Sequence, residues 1–182
     1  VCLAAKNAIT NFGVGTGASQ LITGYTSLHA SLEEQLAEFL GYPRCVLFSS
    51  GYLANLGVIS AFSTRHSLIL QDRLNHASLI DAARYAGGQL KRYQHRDINH
   101  ANEIIASSQS EQHLIVSDGV FSMEGSIAPL EQLHQLKRNT NDKLIIDDAH
   151  AIGVLGSKGK GSLERLGIEP SKVDILIGTF GK

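Results

Sequence analysis

The run Leu144-Ile145-Ile146-Asp147-Asp148-Ala149-His150 places two carboxylates and a histidine directly after three apolar residues. Asp147 and His150 are three positions apart, so one loop can present both to the same ligand. A carboxylate stabilises a cationic ring nitrogen through its charge, and a histidine hydrogen-bonds a neighbouring phenolic oxygen. The same residue types ligate metals, and the pair would equally cap a following helix. No third ligand of clear spacing accompanies them, and no metal is expected.

Ser49-Ser50-Gly51-Tyr52 precedes an apolar helical stretch. A helix start offers unpaired amides at a positive dipole end, which suits a phosphate, and Gly51 lets backbone approach closely. Ordinary helix capping uses the same residues. Neither G-x-x-x-x-G-K-S/T nor a G-x-G-x-x-G between strand and helix occurs, and the G-x-G-x-G over residues 13–17 lacks a preceding strand. His76 stands before another helical stretch, where its ring can lie flat against a planar ligand or cap the helix. Lys182 follows Thr179-Phe180-Gly181. A lysine amine traps carbonyls once its proton is readily lost, Thr179 can donate to an anion, and glycine leaves room for a ligand. Taken alone, Lys182 is simply a lysine after a strand.

These residues need a scaffold that brings distant loops together. Residues 27–40 read as a helix with Leu28, Leu32, Leu36, Phe39 and Leu40 on one face, stopped by Gly41 and Pro43. Helices are also expected over residues 1–11, 53–62, 76–87, 98–107 and 129–139, and strands over 44–49, 67–71, 89–93, 113–117, 143–147 and 173–177. Three glycines within residues 13–17 mark a loop. Strands alternating with helices predict an α/β fold, a mostly parallel sheet covered on both faces in three layers. Ligands in such sheets bind beyond the carboxyl ends of the strands. That edge gathers residues 50–52, 75–76, 118–122, 147–150 and 179–182.

The chain has 182 residues, 43 % of them hydrophobic, enough for one substantial core and against disorder. Sixteen Lys and Arg against seventeen Asp and Glu, a formal net charge of -1, argue against nucleic acid or a membrane surface as partner. Cys2 and Cys45 read as free thiols of a reducing compartment rather than a disulfide framework, and no apolar run approaches the roughly 20 residues of a membrane span. A cytoplasmic protein is expected. The chain begins at Val1 in mid-pattern and stops at Lys182 just after a strand. It is expected to be one large domain, residues 1–182, cut at both ends.

The ordered set Ser50-Gly51-Tyr52-x-x-Asn55, Asp72-Arg73-Leu74-Asn75-His76-Ala77-Ser78, Asp118-Gly119-Val120-Phe121-Ser122-Met123-Glu124-Gly125, Ile127-Ala128-Pro129-Leu130, Asp147-Asp148-Ala149-His150 and Gly178-Thr179-Phe180-Gly181-Lys182 resembles the fold-type I pyridoxal-phosphate enzymes, and more closely their alpha-oxoamine synthases. The resemblance covers practically the whole chain. It implies the large domain of fold type I, with an N-terminal arm and a C-terminal small domain outside residues 1–182. It further implies pyridoxal 5'-phosphate (PLP) as cofactor and a homodimer with active sites at the subunit interface.

The same resemblance assigns roles. Lys182 would attach the cofactor through its amine and then transfer the substrate's α proton. Asp147 would pair with the pyridine nitrogen, and His150 would contact the phenolic oxygen. His76 would stack on the ring and help position substrate, and Ser122 would contact the oxygen side. The amides of Gly51 and Tyr52, with Thr179, would bind phosphate. The implied reaction condenses an amino acid with an acyl-CoA thioester, releasing CoA and carbon dioxide. L-alanine and pimeloyl-CoA are the expected pair; glycine with acetyl-CoA or succinyl-CoA, and serine with a long acyl-CoA, are the alternatives. A non-catalytic partner subunit would be expected to have lost the lysine or the ring-pairing aspartate, and both are here. An ordinary aminotransferase would convert an added oxoacid without consuming thioester. The chain departs from the family at Asp118, commonly glutamate, at Ser126, commonly aspartate, and at Ala18-Ser19-Gln20.

Overall fold

A computed structural model describes residues 1–180. The chain divides into two compact units, one made of Val1–Phe39 with Pro43–Leu47, the other of Leu40–Tyr42 and everything from Phe48 onward.

The first unit holds α1 (Cys2–Phe12), a π-helical turn (Gln20–Gly24) and most of α2 (Ser27–Leu40). Gly13, Gly15 and Gly17 all take positive φ between α1 and the turn, the backbone region that glycine enters without a Cβ penalty. Glu33 ties the unit together: its Oε2 accepts from the Tyr25 hydroxyl at 2.6 Å and its Oε1 from the Leu47 amide at 2.9 Å. Helix α2 has the bounds read from the sequence, but its expected core stripe is partly bare. Leu28, Leu32 and Phe39 are exposed and only Ala37 is buried.

The second unit is built on five strands, β1 (Leu68–Asp72), β2 (Gln89–Tyr93), β3 (His113–Asp118), β4 (Lys143–Asp147) and β5 (Ile175–Ile177), in the order β2-β1-β3-β4-β5. Every pairing is parallel. Side chains alternate along each strand, so apolar runs feed two cores. Leu68, Leu70, Ile115, Leu144 and Ile146 pack on one face with α5 (Ile98–Ser107), α6 (Leu130–Gln135) and α7 (Ser162–Leu166). Ile69, Leu114, Val116 and Ile145 pack on the other with α3 (Gly51–Phe62) and α4 (Ala77–Ala86). This is the three-layer α/β arrangement expected from the sequence. Side-chain caps start α3 at Ser50, α4 at His76 and α5 at Asp97, and Gly87 closes α4 in the left-handed region.

Two expected elements differ. Residues 44–49 form no strand: Val46 is 70 % exposed, and the Leu47 amide goes to a carboxylate instead of a ladder. The helix expected over residues 129–139 ends at Gln135. Beyond it, Asp142 Oδ2 captures the Arg138 amide, and Asn139 Oδ1 captures the amides of Asn141 and Asp142, so local side chains replace helical acceptors. No described helix is long and apolar enough to cross a membrane, and both cysteines are free thiols.

Candidate active site

Three strands end in aspartate: β1 at Asp72, β3 at Asp118 and β4 at Asp147. The strands are parallel, so all three carboxylates emerge at one edge, with Asp118 opposite Asp147 and Asp147 opposite Ile177 in the ladder. Each carboxylate then has a different environment.

Asp72 is fully buried and committed within the protein. Its Oδ1 accepts from the Leu74 amide at 2.9 Å and its Oδ2 from the Arg96 amide at 2.8 Å, and His95 Nδ1 lies 3.0 and 3.1 Å from the two oxygens. His95 Nε2 reaches Ser126 Oγ at 3.0 Å, and the ring stands edge-on to Phe121. Asp118 Oδ2 accepts from the His76 amide at 2.7 Å, and Asn75 bridges β1 to β3 by donating to the Val116 carbonyl and accepting from the Asp118 amide. Asp118 and Asn75 therefore fix the backbone from which His76 projects.

Asp147 is 7 % exposed. Asn55 Nδ2 donates to its Oδ2 at 2.7 Å, and the Ala149 amide donates to its Oδ1 at 3.1 Å. Both oxygens are held, which sets the plane of the carboxylate. Asn55, from α3, is itself buried and also donates to Ser78 Oγ at 2.8 Å. Asp148 points into the protein instead. Burial pushes its carboxyl above the usual range, hydrogen bonding from Ser162 opposes that rise, and the adjacent Asp147 charge adds to it. Only glycine fits opposite it, because a Cβ at Gly119 or Gly161 would collide with the Asp148 carboxylate.

The start of α3 forms a second feature of this unit. Ser50 caps it, its Oγ accepting from the Leu53 amide at 3.2 Å and its carbonyl from the Ala54 amide at 3.0 Å. The amides of Gly51 and Tyr52 precede the first helical acceptor, as the first amides of any helix do. Thr179, beyond β5, packs against Gly51 so closely that a Cβ there would stand 2.7 Å from Thr179 Cγ2. Thr179 Oγ1 is buried with no hydrogen-bond partner among the described residues. A buried hydroxyl without a partner is costly, and here it lies beside a cradle that admits no side chain.

The other described residues singled out in the sequence lie on the same edge. His76 is exposed at the start of α4, and its Nδ1 accepts from the Ser78 amide at 3.3 Å. Ser122 is exposed in the turn closed by the Phe121 amide on the Ser126 carbonyl and the Gly125 amide on the Phe121 carbonyl. His150 is half-buried, three residues beyond Asp147. Tyr52 is exposed, its hydroxyl donating to Asp81 at 3.1 Å. Lys182 lies outside the described residues. Asn55, Ser78, Asn75 and Asp118 stood in the quoted motifs without a role; the structure makes Asn55 a partner of Asp147, makes Ser78 and Asp118 partners of His76, and sets Asn75 between Val116 and Asp118.

A carboxylate held at both oxygens, an exposed histidine ring, and, among the described residues, a capped helix start with two free amides and a buried hydroxyl without a partner suit a planar ligand with a basic ring nitrogen and a phosphate. Comparison with known proteins agrees with this chemistry. A relative from Methylococcus capsulatus, an 8-amino-7-oxononanoate synthase, is 47 % identical over 179 residues, which is 98 % of this chain and 46 % of that protein. The solved serine palmitoyltransferase of S. paucimobilis, holding a PLP-myriocin aldimine, superposes with a TM-score of 0.91 at 32 % identity, covering 98 % of this chain and 45 % of that one. The 8-amino-7-oxononanoate synthase of Francisella tularensis superposes with a TM-score of 0.80 at 31 % identity, covering 99 % and 49 %. The chain thus spans a little under half the length of the proteins it matches. The model of the class I and II aminotransferases matches from residue 1 to residue 182, and the chain belongs to that family.

Proposed function

We propose that residues 1–182 are the PLP-binding large domain of an alpha-oxoamine synthase, and that the complete protein condenses L-alanine with pimeloyl-CoA to 8-amino-7-oxononanoate, carbon dioxide and CoA, a step of biotin synthesis. The carrying observation is the single sheet edge that presents Asp147, held by Asn55, together with the Gly51-Thr179 cradle and its orphaned hydroxyl. The substrate pair rests on relatives such as the M. capsulatus synthase, 47 % identical over nearly the whole chain.

PLP, when bound, supplies an electron sink for negative charge developing at the amino acid's α carbon. Asp147 would hold the pyridine nitrogen protonated, its carboxylate oriented beforehand by Asn55 and the Ala149 amide. His76 would cover one face of the ring and position substrate, and His150 and Ser122 would hydrogen-bond on the phenolic-oxygen side. The Gly51 and Tyr52 amides and the Thr179 hydroxyl would donate to the phosphate, giving that hydroxyl its missing partner. Lys182 would attach the cofactor, and its Nζ would take and return the α proton. The bared apolar stripe of α2 fits a homodimer with further segments around this domain, and the free thiols fit a cytoplasmic protein.

The test is CoA release by the complete protein from pimeloyl-CoA with L-alanine, with glycine and L-serine run alongside. Alanine-dependent release supports the assignment. Release only from acetyl-CoA with glycine would replace it by glycine C-acetyltransferase, and conversion of an oxoacid without thioester consumption by an aminotransferase.

A further inference from the structure

Between the carboxylate and the histidine assigned to the two sides of the cofactor ring runs a continuous chain of hydrogen bonds, buried from Asp147 to Ser78 and part-buried at His76, and its direction can be read from the donors. Asp147 Oδ2 is an acceptor, so the group of Asn55 that faces it at 2.7 Å is the Nδ2 amide. The same nitrogen donates its other hydrogen to Ser78 Oγ at 2.8 Å. With its oxygen accepting from Asn55, the Ser78 hydroxyl turns its proton to His76 Nδ1, 2.7 Å away. The Ser78 amide donates to the same Nδ1 at 3.3 Å. Two donors converge on Nδ1, so the neutral ring carries its proton on Nε2. Asn55 and Ser78 are both about 1 % exposed, so water does not compete for the two bonds that Asn55 donates. Asn55 Oδ1 is left buried without a partner among the described residues. A flipped amide would place oxygen against oxygen at Asp147, and this excludes the orientation that could relieve Oδ1.

The structure assigns Asn55 as a positioning residue that, through one amide nitrogen, orients the Asp147 carboxylate and, by way of Ser78, fixes His76 as the Nε2-protonated tautomer. This rests on the reading of Asp147 and His76 as the residues that hold the cofactor ring. A tautomer with Nε2–H outward presents a donor at the exposed tip of the ring, while Nδ1 stays engaged with the protein. One α3 side chain thereby sets both residues at once.

The test uses the complete protein with Asn55→Ala, Asn55→Leu, which keeps the side-chain volume without a donor, and Ser78→Ala. Nitrogen-15 spectra of selectively labelled histidine should show His76 with Nδ1 bare and Nε2 protonated in the wild type, and a larger share of the Nδ1-protonated form in all three variants, where the Ser78 amide still favours Nε2. With PLP loaded, both Asn55 variants should weaken cofactor affinity on the order of tenfold and move the pH titration of the cofactor's absorbance, whereas Ser78→Ala should leave that titration in place. A purely structural Asn55 would lower the melting temperature without moving either spectrum, and that outcome overturns the assignment, as does a wild-type His76 protonated at Nδ1. Wild-type protein that takes up no PLP would contradict the proposed function instead; the histidine spectra need no cofactor and still report on the chain.

Discussion

Gly51 and Thr179, 128 positions apart, meet so closely that a single added Cβ would stand 2.7 Å from Thr179 Cγ2. The contact binds the start of α3 to the end of β5 and places beside a helix N-terminus a hydroxyl that has no partner among the described residues. Gly51→Ala should force Thr179 away, reducing PLP affinity at least tenfold and stability by about 1–3 kcal/mol from overpacking. Equilibrium dialysis and urea unfolding measure both. Unchanged affinity would remove the cradle from the phosphate site.

Thr179→Val separates the hydroxyl from the packing. The methyl contact with Gly51 stays and the orphaned oxygen goes. Without cofactor the variant should be as stable as the wild type or up to roughly 1–3 kcal/mol more stable, since a buried unpaired hydroxyl is removed. With cofactor it should bind more weakly. Thermal melts with and without PLP give the two signs directly.

Asp147→Asn keeps the shape of the side chain and removes its charge. Turnover should fall on the order of a hundredfold or more, and exchange of the amino acid's α proton should fall with it, while phosphate binding at Gly51 and Thr179 persists. An α-proton exchange rate equal to the wild type's would refute the role given to Asp147.

Asp148 gives the fold a pH dependence of opposite sign to that of a salt-bridged carboxylate. Burial raises its folded carboxyl above the unfolded value, so the folded state binds the proton more tightly. Its stabilising effect is complete below the unfolded carboxylate range and is lost as pH rises through the raised folded value. Asp148→Asn should flatten that decline and raise stability near neutral pH. Urea midpoints of wild type and variant across the acid range test this: the variant's advantage should grow as pH rises, and an advantage that stays constant or shrinks would contradict it.

His95→Ala should destabilise the second unit by roughly 1–3 kcal/mol, because it leaves the buried Asp72 carboxylate with fewer donors and Ser126 with one partner fewer. Unfolding free energies of the wild type and variant check it.

Much of this architecture is legible in the sequence where burial alone decides it. The bounds of α2, α5, β2 and β4 follow from apolar spacing and from stop signals such as Gly41. The strand expected over residues 44–49 fails because a ladder needs a partner that local pattern cannot supply; here the Leu47 amide takes Glu33 instead. The shortening of α6 depends on Asn139 and Asp142 seizing amides, a choice between two hydrogen-bonding options that periodicity does not register. Helix α7, five residues long, and the π-helical turn are too short to show a period. The site residues are legible as motifs, but their linkage is not. Asn55 and Asp147 are separated by 92 positions, and only the sheet order that lays α3 over β4 brings an amide to that carboxylate.

The central claim is that this sheet edge carries PLP with Lys182 as the attachment point. The complete protein, loaded with PLP, reduced with borohydride and digested, should yield one modified peptide with the pyridoxyl group on Lys182. Incorporation at another lysine, or none from protein that is folded, would contradict the account.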